Sequence, residues 1–352
     1  MRLSRGKYTF KLIQISGRVL IVDRLAWFYL ISALVGGFAS LLAYGLVQME
    51  GLAGVRGWQW IFVCILPRER LRKLADVRHQ IIEGIMTCVA AIVAYFVLVD
   101  FPDKAHQKGL LSHDESEFIK QRLDRDRGDA VPDALTWAKL ATHLADFKVW
   151  VFALMFMSTT MPAYALAYFG PVIILGMGYT AGVANALGAP PIVFAVFIAL
   201  VVSWCADRYH KRWPALVFNC VIGITGLMMT AYSKNDMVRY GGLFLGQAGC
   251  QGNIPTILAY QSNNIRMQSK RAVGSALQIG FGAIGGILGS TVFFESESPT
   301  YPTGLWITAG LQMFILTACA CMSAYFRWMN GKVDKGTLKA PIEGQPGFKF
   351  TL

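Results

Sequence analysis

Apolar runs of membrane length, repeated along the chain, restrict its fold more than any other feature. A helix needs roughly 20 apolar residues to cross the hydrocarbon core of a bilayer. Runs near that length fall at 26–47, 81–99, 149–169, 183–205, 214–232, 240–261, 272–294 and 304–326. Within lipid each backbone N–H and C=O must find its partner inside the segment, so runs of this length read as helices. The expectation is an all-α membrane protein with about eight transmembrane helices. Composition agrees: 55 % of residues are hydrophobic and 15 % charged, too apolar for a soluble domain of this size. The net charge of +12 reads as loop charge beside a membrane, the lipid bilayer being the partner. A nucleic-acid partner would need a basic face on a soluble fold, and none is visible.

One stretch is especially informative. Asn253 to Thr291 is two apolar segments joined by a short basic loop with Arg266, Lys270 and Arg271. Its second segment holds two small-xxx-small pairs, Gly282/Gly286 and Gly285/Gly289. Glycines at that spacing share a helix face and admit a neighbouring backbone. Close packing inside one bundle is the expected use, ahead of homodimerisation. Asn253, Gln261 and Gln278 place amides inside apolar sequence, which is costly unless they meet a partner or a wet cavity.

Loop charge sets the expected orientation. Arg208, Lys211 and Arg212, and then Arg266, Lys270 and Arg271, occupy alternate loops; the loops between them carry only Lys234 and Arg239. Basic loops stay cytoplasmic, which also puts residues 100–148 and the tail 327–352 in the cytoplasm. Residues 64–80 break this rule, with Arg68, Arg70, Arg72, Lys73 and Arg78 on the outer side. The expected organisation is an atypical segment at 1–25, two helices over 26–99 with a basic insert at 64–80, a central loop at 100–148, six helices over 149–326, and a loose polar tail at 327–352. In the central loop, Ser112 and Glu115 have the spacing of a capping box ahead of an amphipathic helix. Pro162 and Pro171 predict a bent or broken helix around them.

No sequence signature links the seven cysteines or five histidines into a metal site, and the cysteines read as small buried hydrophobes. GxxxxGK[ST], G-x-S-x-G and H-E-x-x-H are all missing, which argues against ATP-driven pumping and against an enzyme. No cofactor is implied.

The pieces GWQWIFV, IIEGIMT, FPDKA, AYFGPVIILGMGYT, ADRYHKR, VRYGGLFL and QSNNIRMQSKRAVGSALQIGFGAIGGILGS together resemble the major facilitator superfamily. Within it the chain is most similar to the fungal anion:cation symporters, the allantoate and nicotinate permease-like carriers. The resemblance covers about Trp27 to Trp328, with a gap at 64–80; removing those residues would restore the family's junction between WIFV and IEG, as if they were translated intron. It implies two six-helix halves working by alternating access. This chain would hold the last two helices of the N-half and the complete C-half, a partial major-facilitator fold apparently lacking the first four helices.

The implied function is secondary, proton-coupled transport of a small organic anion, such as a vitamin-type or allantoate-like carboxylate, across the plasma membrane. The alternative is a truncated, non-transporting remnant or a mis-predicted gene. Gln247, Gln251, Asn253 and Gln278 lie in spans that line the family's cavity and are the candidate substrate contacts, with Tyr164 and Tyr168 as an aromatic wall. Asp207, Arg208, Lys211 and Arg212 are the degenerate echo of the family's cytoplasmic signature and a candidate gate. Glu83 is a weaker candidate for proton coupling.

Overall fold

The computed structural model describes residues 135–338, 341–344 and 347–352 except 210 and 298–300, together with 112–115, 117–118 and 121. The chain divides into two compact units, and the described residues from 135 onward lie in one of them. The expectations for the first two spans, the basic insert and Glu83 fall outside the described residues. In the other unit, the Ser112 N–H donates to Glu115 Oε2 at 3.0 Å, one arm of the expected capping box.

A short helix, α1 (Trp137–Leu144), precedes six long ones: α2 (Phe147–Leu175), α3 (Ala181–Tyr209), α4 (Trp213–Tyr232), α5 (Asp236–Asn264), α6 (Gln268–Gly289) and α7 (Pro302–Asp334). α1 went unseen in the sequence, where the residues around it read as polar loop. Each long helix matches an expected span; five contain theirs and extend beyond it, whereas α6 starts earlier than 272–294 and ends at Gly289. α2 takes in all of GPVIIL, which lies beyond the expected span 149–169, so that only residues 176–180 connect it to α3. α2 runs unbroken through Pro162 and Pro171, which excludes the break of the two expected alternatives, a bent or a broken helix. Two of the long helices, α2 and α5, start at side-chain caps. Asp146 accepts the Lys148 N–H at 3.0 Å and Asn235 accepts the Met237 N–H at 2.9 Å, each satisfying an orphan donor of the first turn.

Five of the long helices are long and apolar enough to cross a membrane; the sixth, α5, is more polar. Its position explains this. α5 packs against α4, α3 and α2, and most of its length is buried. A helix enclosed by protein can carry Gln247, Asn253, Thr256, Gln261 and Asn264, whereas a lipid-facing one cannot.

The closest pairings are α4 with α5 and α2 with α6. The expected glycine stripe forms the second seam. Gly282, Gly285 and Gly289 are buried on α6, against Phe156, Thr160, Met161 and Ala165 of α2. The stripe thus packs inside the bundle. Prolines inside helices free carbonyls that need other donors. Pro191 leaves Leu187 O without its helical partner, and Tyr240 Oη donates to it at 2.9 Å. Of the cysteines described, Cys220, Cys250 and Cys319 are buried, and Cys321 is exposed.

The tail departs most from its expectation. It is ordered, with Ile342, Phe348 and Phe350 buried and the Phe350 ring stacked on Phe326 at 4.4 Å. A polar composition hid two aromatic residues spaced to enter one end of the bundle.

Candidate functional site

α5 presents its polar residues in two directions. Gln247 and Gln251 stand four residues apart and share a face, whereas Asn253 points the other way round the helix. Gln247 lines a cavity of about 30 Å3 with Leu166, Gly170 and Pro171 of α2 and Gly188 and Pro191 of α3. That space holds about one water molecule. It lies where prolines interrupt the backbone ladders of both neighbouring helices. Gln251 is half-buried.

Asn253 belongs to a buried cluster joining α4, α5 and α7. Its Nδ2 donates to Gln312 Oε1 at 3.0 Å and meets Cys220 Sγ at 3.3 Å. Gln312 Nε2 in turn reaches Cys250 Sγ at 3.3 Å. Gln312 was missed in the sequence, although a lone amide within the apolar run 304–326 was the available signal. Several amides retain hydrogen-bonding capacity: Asn253 Oδ1, both side-chain atoms of Asn219, and Gln278 Nε2 on α6 have no partner among the described residues. Gln278 is 1 % exposed, and a buried amide left unmatched costs about 1–3 kcal/mol.

Tyr164 and Tyr168 stack on each other with ring centroids 6.1 Å apart. They are 44 % and 53 % exposed on the outside of this unit, and the Tyr164 ring lies over Gly286 of α6. The structure therefore distributes the six candidate contacts: Gln247 in the α2–α3–α5 cavity, Asn253 in the α4–α5–α7 cluster, Gln278 buried on α6, Gln251 half-buried on α5, and the two tyrosines on an open face.

The gate residues divide similarly. Asp207 and Arg212 form a buried ion pair between the end of α3 and the start of α4. Arg208 and Lys211 are exposed, as charges that only fix orientation would be.

At the same end of the bundle lies an ion cluster that sequence reading did not find. Lys270 Nζ is 2.6 Å from Asp146 Oδ2 and 2.6 Å from Glu343 Oε1. Lys148 Nζ is 2.6 Å from the same Glu343 oxygen and 3.3 Å from Asp146 Oδ2. Beside it, the His143 ring hydrogen-bonds Ser269 at 2.8 Å. Burial alone would raise the Asp146 pKa, but the hydrogen bond from Lys270 and the charge of Lys148 hold it below the ordinary 3.8. The stabilisation from that lowered value is in place above pH 3.8 and is lost only as pH falls below it. Asp146 and Lys148 are two residues apart, but Lys270 lies in the first turn of α6 and Glu343 belongs to the tail, so no local spacing relates the four. Among the described residues, no group of His, Cys, Asp and Glu could hold a metal.

Comparison with known proteins places this arrangement. The chain is 29 % identical to the fungal MFS transporter prlL (Fungal sp.) over 331 residues, 93 % of this chain and 62 % of the relative. It is 27 % identical to the major facilitator-type transporter hxnP of Emericella nidulans, covering 92 % of this chain and 61 % of that one. With the high-affinity nicotinic acid transporter of Saccharomyces cerevisiae, identity is 22 % over 88 % of this chain and 54 % of the relative. The chain thus spans less than two thirds of the length of these curated relatives. The family profile described as Major Facilitator Superfamily matches residues 81–290. That match covers more than half of the chain, and with the membrane-length helices it shows a multi-pass membrane protein that belongs to the major facilitator superfamily.

Proposed function

We propose that the chain is the larger part of a secondary carrier that moves a small organic anion, with protons, by alternating access across the plasma membrane. In this reading α2 to α7 are one complete six-helix half, and the end bearing the ion cluster faces the cytoplasm. One observation carries the reading: buried amides with unused hydrogen-bonding capacity, Gln278 and Asn219 above all, stand inside membrane-length helices. Hydrocarbon penalises such groups unless they meet a partner or a polar solute. Amide N–H groups are suited to a carboxylate, and the cations of the described helices lie within about two turns of helix ends. The name of the yeast relative, a nicotinic acid transporter, supports a monocarboxylate of that size. Asp207 with Arg212 serves here as half of a gate, its pair breaking when that end opens.

Uptake of labelled carboxylates, nicotinate among them, by cells expressing this chain tests the reading. The expected result is uptake that falls as external pH rises and is abolished by a protonophore. Gln278→Ala is expected to raise KM about tenfold, the effect of losing about 1.4 kcal/mol of binding. Absence of uptake from a chain shown to reach the membrane would overturn the carrier reading for this form and favour a non-transporting protein.

A further inference from the structure

We propose that residues 341–344 and 347–352 act as a detachable strap, keyed by Glu343, that ties the ends of α2, α5, α6 and α7 together. The proposal does not depend on any substrate.

The strap is held by polar groups from every side. Asn330 of α7 clasps the Phe350 backbone, accepting its N–H at 2.8 Å and donating to its carbonyl at 2.9 Å. Asn264, the last residue of α5, clasps Thr351 in the same way at 2.8 and 3.1 Å. One asparagine side chain on each of two helices thus imitates a strand partner for successive strap residues. The Arg212 N–H, at the start of α4, donates to Leu352 O at 2.7 Å. Two cations cover the aromatic rings: Arg266 lies over Phe348 at 4.4 Å and Lys148 over Phe350 at 5.0 Å.

Glu343 is the key. Its side chain is 2 % exposed, and one oxygen takes Lys148 of α2 and Lys270 of α6 together, each at 2.6 Å. The backbone bears strain to put it there, since Glu343 has φ 49°. A left-handed non-glycine residue persists where its surroundings enforce it, and here the two ammonium groups do so.

Three features make the strap a separable unit. Its apolar anchors are few: Ile342, Phe348 and Phe350 are its buried hydrophobic residues. An open cleft of about 210 Å3 lies between it and the end of α7, lined by Val333, Gly336, Ile342 and Phe348, so that side of the strap is not closely packed. Its remaining ties are hydrogen bonds and ion pairs at the outer end of the bundle. A segment with few apolar contacts and many polar ties opens locally at lower cost than the body it rests on. Undocking leaves Lys148 and Lys270 sharing Asp146 alone and removes the bridge between Asn264 of α5 and Asn330 of α7, while Tyr260 of α5 still meets Ser323 and Phe326 of α7.

Hydrogen exchange of the full chain in detergent micelles, read by peptide mass spectrometry, tests this. The proteins compared are the wild type, Glu343→Gln, which keeps the shape and removes the charge, and the double variant Asn264→Ala with Asn330→Ala. The expected result in both variants is at least tenfold faster exchange at residues 347–352, a smaller acceleration at 256–264, and unchanged exchange at 150–165 of α2. Wild-type exchange of 347–352 in Glu343→Gln would overturn the proposal. So would equal loss of protection in α2, because the segment would then be part of the core and not a strap.

Discussion

The two tightest seams of the bundle, α4–α5 and α2–α6, achieve close approach differently. On α4–α5 glycine faces glycine. A Cβ on Gly249 would fall within the backbone of Asn219 and Gly223, and one on Gly226 within that of Gly246 and Gly242. On α2–α6 glycine faces side chains as well as backbone: Gly282 lies against the Phe156 ring, and Gly286 against that of Tyr164. Lipid tails are as apolar as leucine, so helices in a membrane associate largely through such contact. A backbone–backbone seam cannot adjust, whereas one that meets rings can. This accords with where the polar cluster sits. Asn253, Cys220 and Cys250 occupy the rigid α4–α5 seam, where a fixed separation keeps weak hydrogen bonds in register.

Substitutions can break this contrast. Gly249→Ala is expected to have the largest effect, a loss of about 3 kcal/mol or more, because overpacking against backbone cannot be relieved by a rotamer change. Loss of monodisperse protein on size-exclusion chromatography, or a steep fall in thermal midpoint, would register it; wild-type behaviour would show that the two helices can part. Gly285→Ala should cost less, about 1–3 kcal/mol. Its Cβ would lie 2.8 Å from Met157 O and would also press on the Thr160 hydroxyl, and the hydroxyl can turn away. A thermal midpoint equal to that of Gly249→Ala would remove the distinction between the seams. Gly280→Ala, on the same helix, should have the smallest effect and the opposite sign. Nothing lies within 4 Å of its Cβ position, so the gain in helix propensity, up to about 1 kcal/mol, should raise the midpoint slightly. A lowered midpoint would place an unseen neighbour there.

How much of this could be read beforehand follows the same division. Gly282/Gly286 and Gly285/Gly289 announced the α2–α6 seam because a four-residue spacing on one helix is visible locally. The α4–α5 seam carries the same four-residue spacing at Gly242/Gly246, which was not picked out, but which glycines of α4 (Gly223 and Gly226) meet which of α5 has no spacing to read. Asn253 was picked out as an amide in apolar sequence; Gln312, which completes its hydrogen bond, was not, although the same logic applied. The loop charges correctly grouped the α3–α4 and α5–α6 connections with the tail at one end, where Arg212 meets Leu352 and Arg266 meets Phe348. The tail's order was not legible, because its stability comes from Asn264, Asn330 and the lysines of helices distant in sequence.

The sequence alone determined that long helices cross a bilayer, where each described one lies to within about two turns at its ends, and which loops share an end. Those properties follow from length, hydropathy and loop charge, all of which act over one segment at a time. Tertiary structure decided which helix is enclosed by the others, which glycines meet backbone, and that one glutamate of the tail pairs with two lysines from different helices. Such facts depend on packing, and packing is set by atoms that only the completed fold brings within reach.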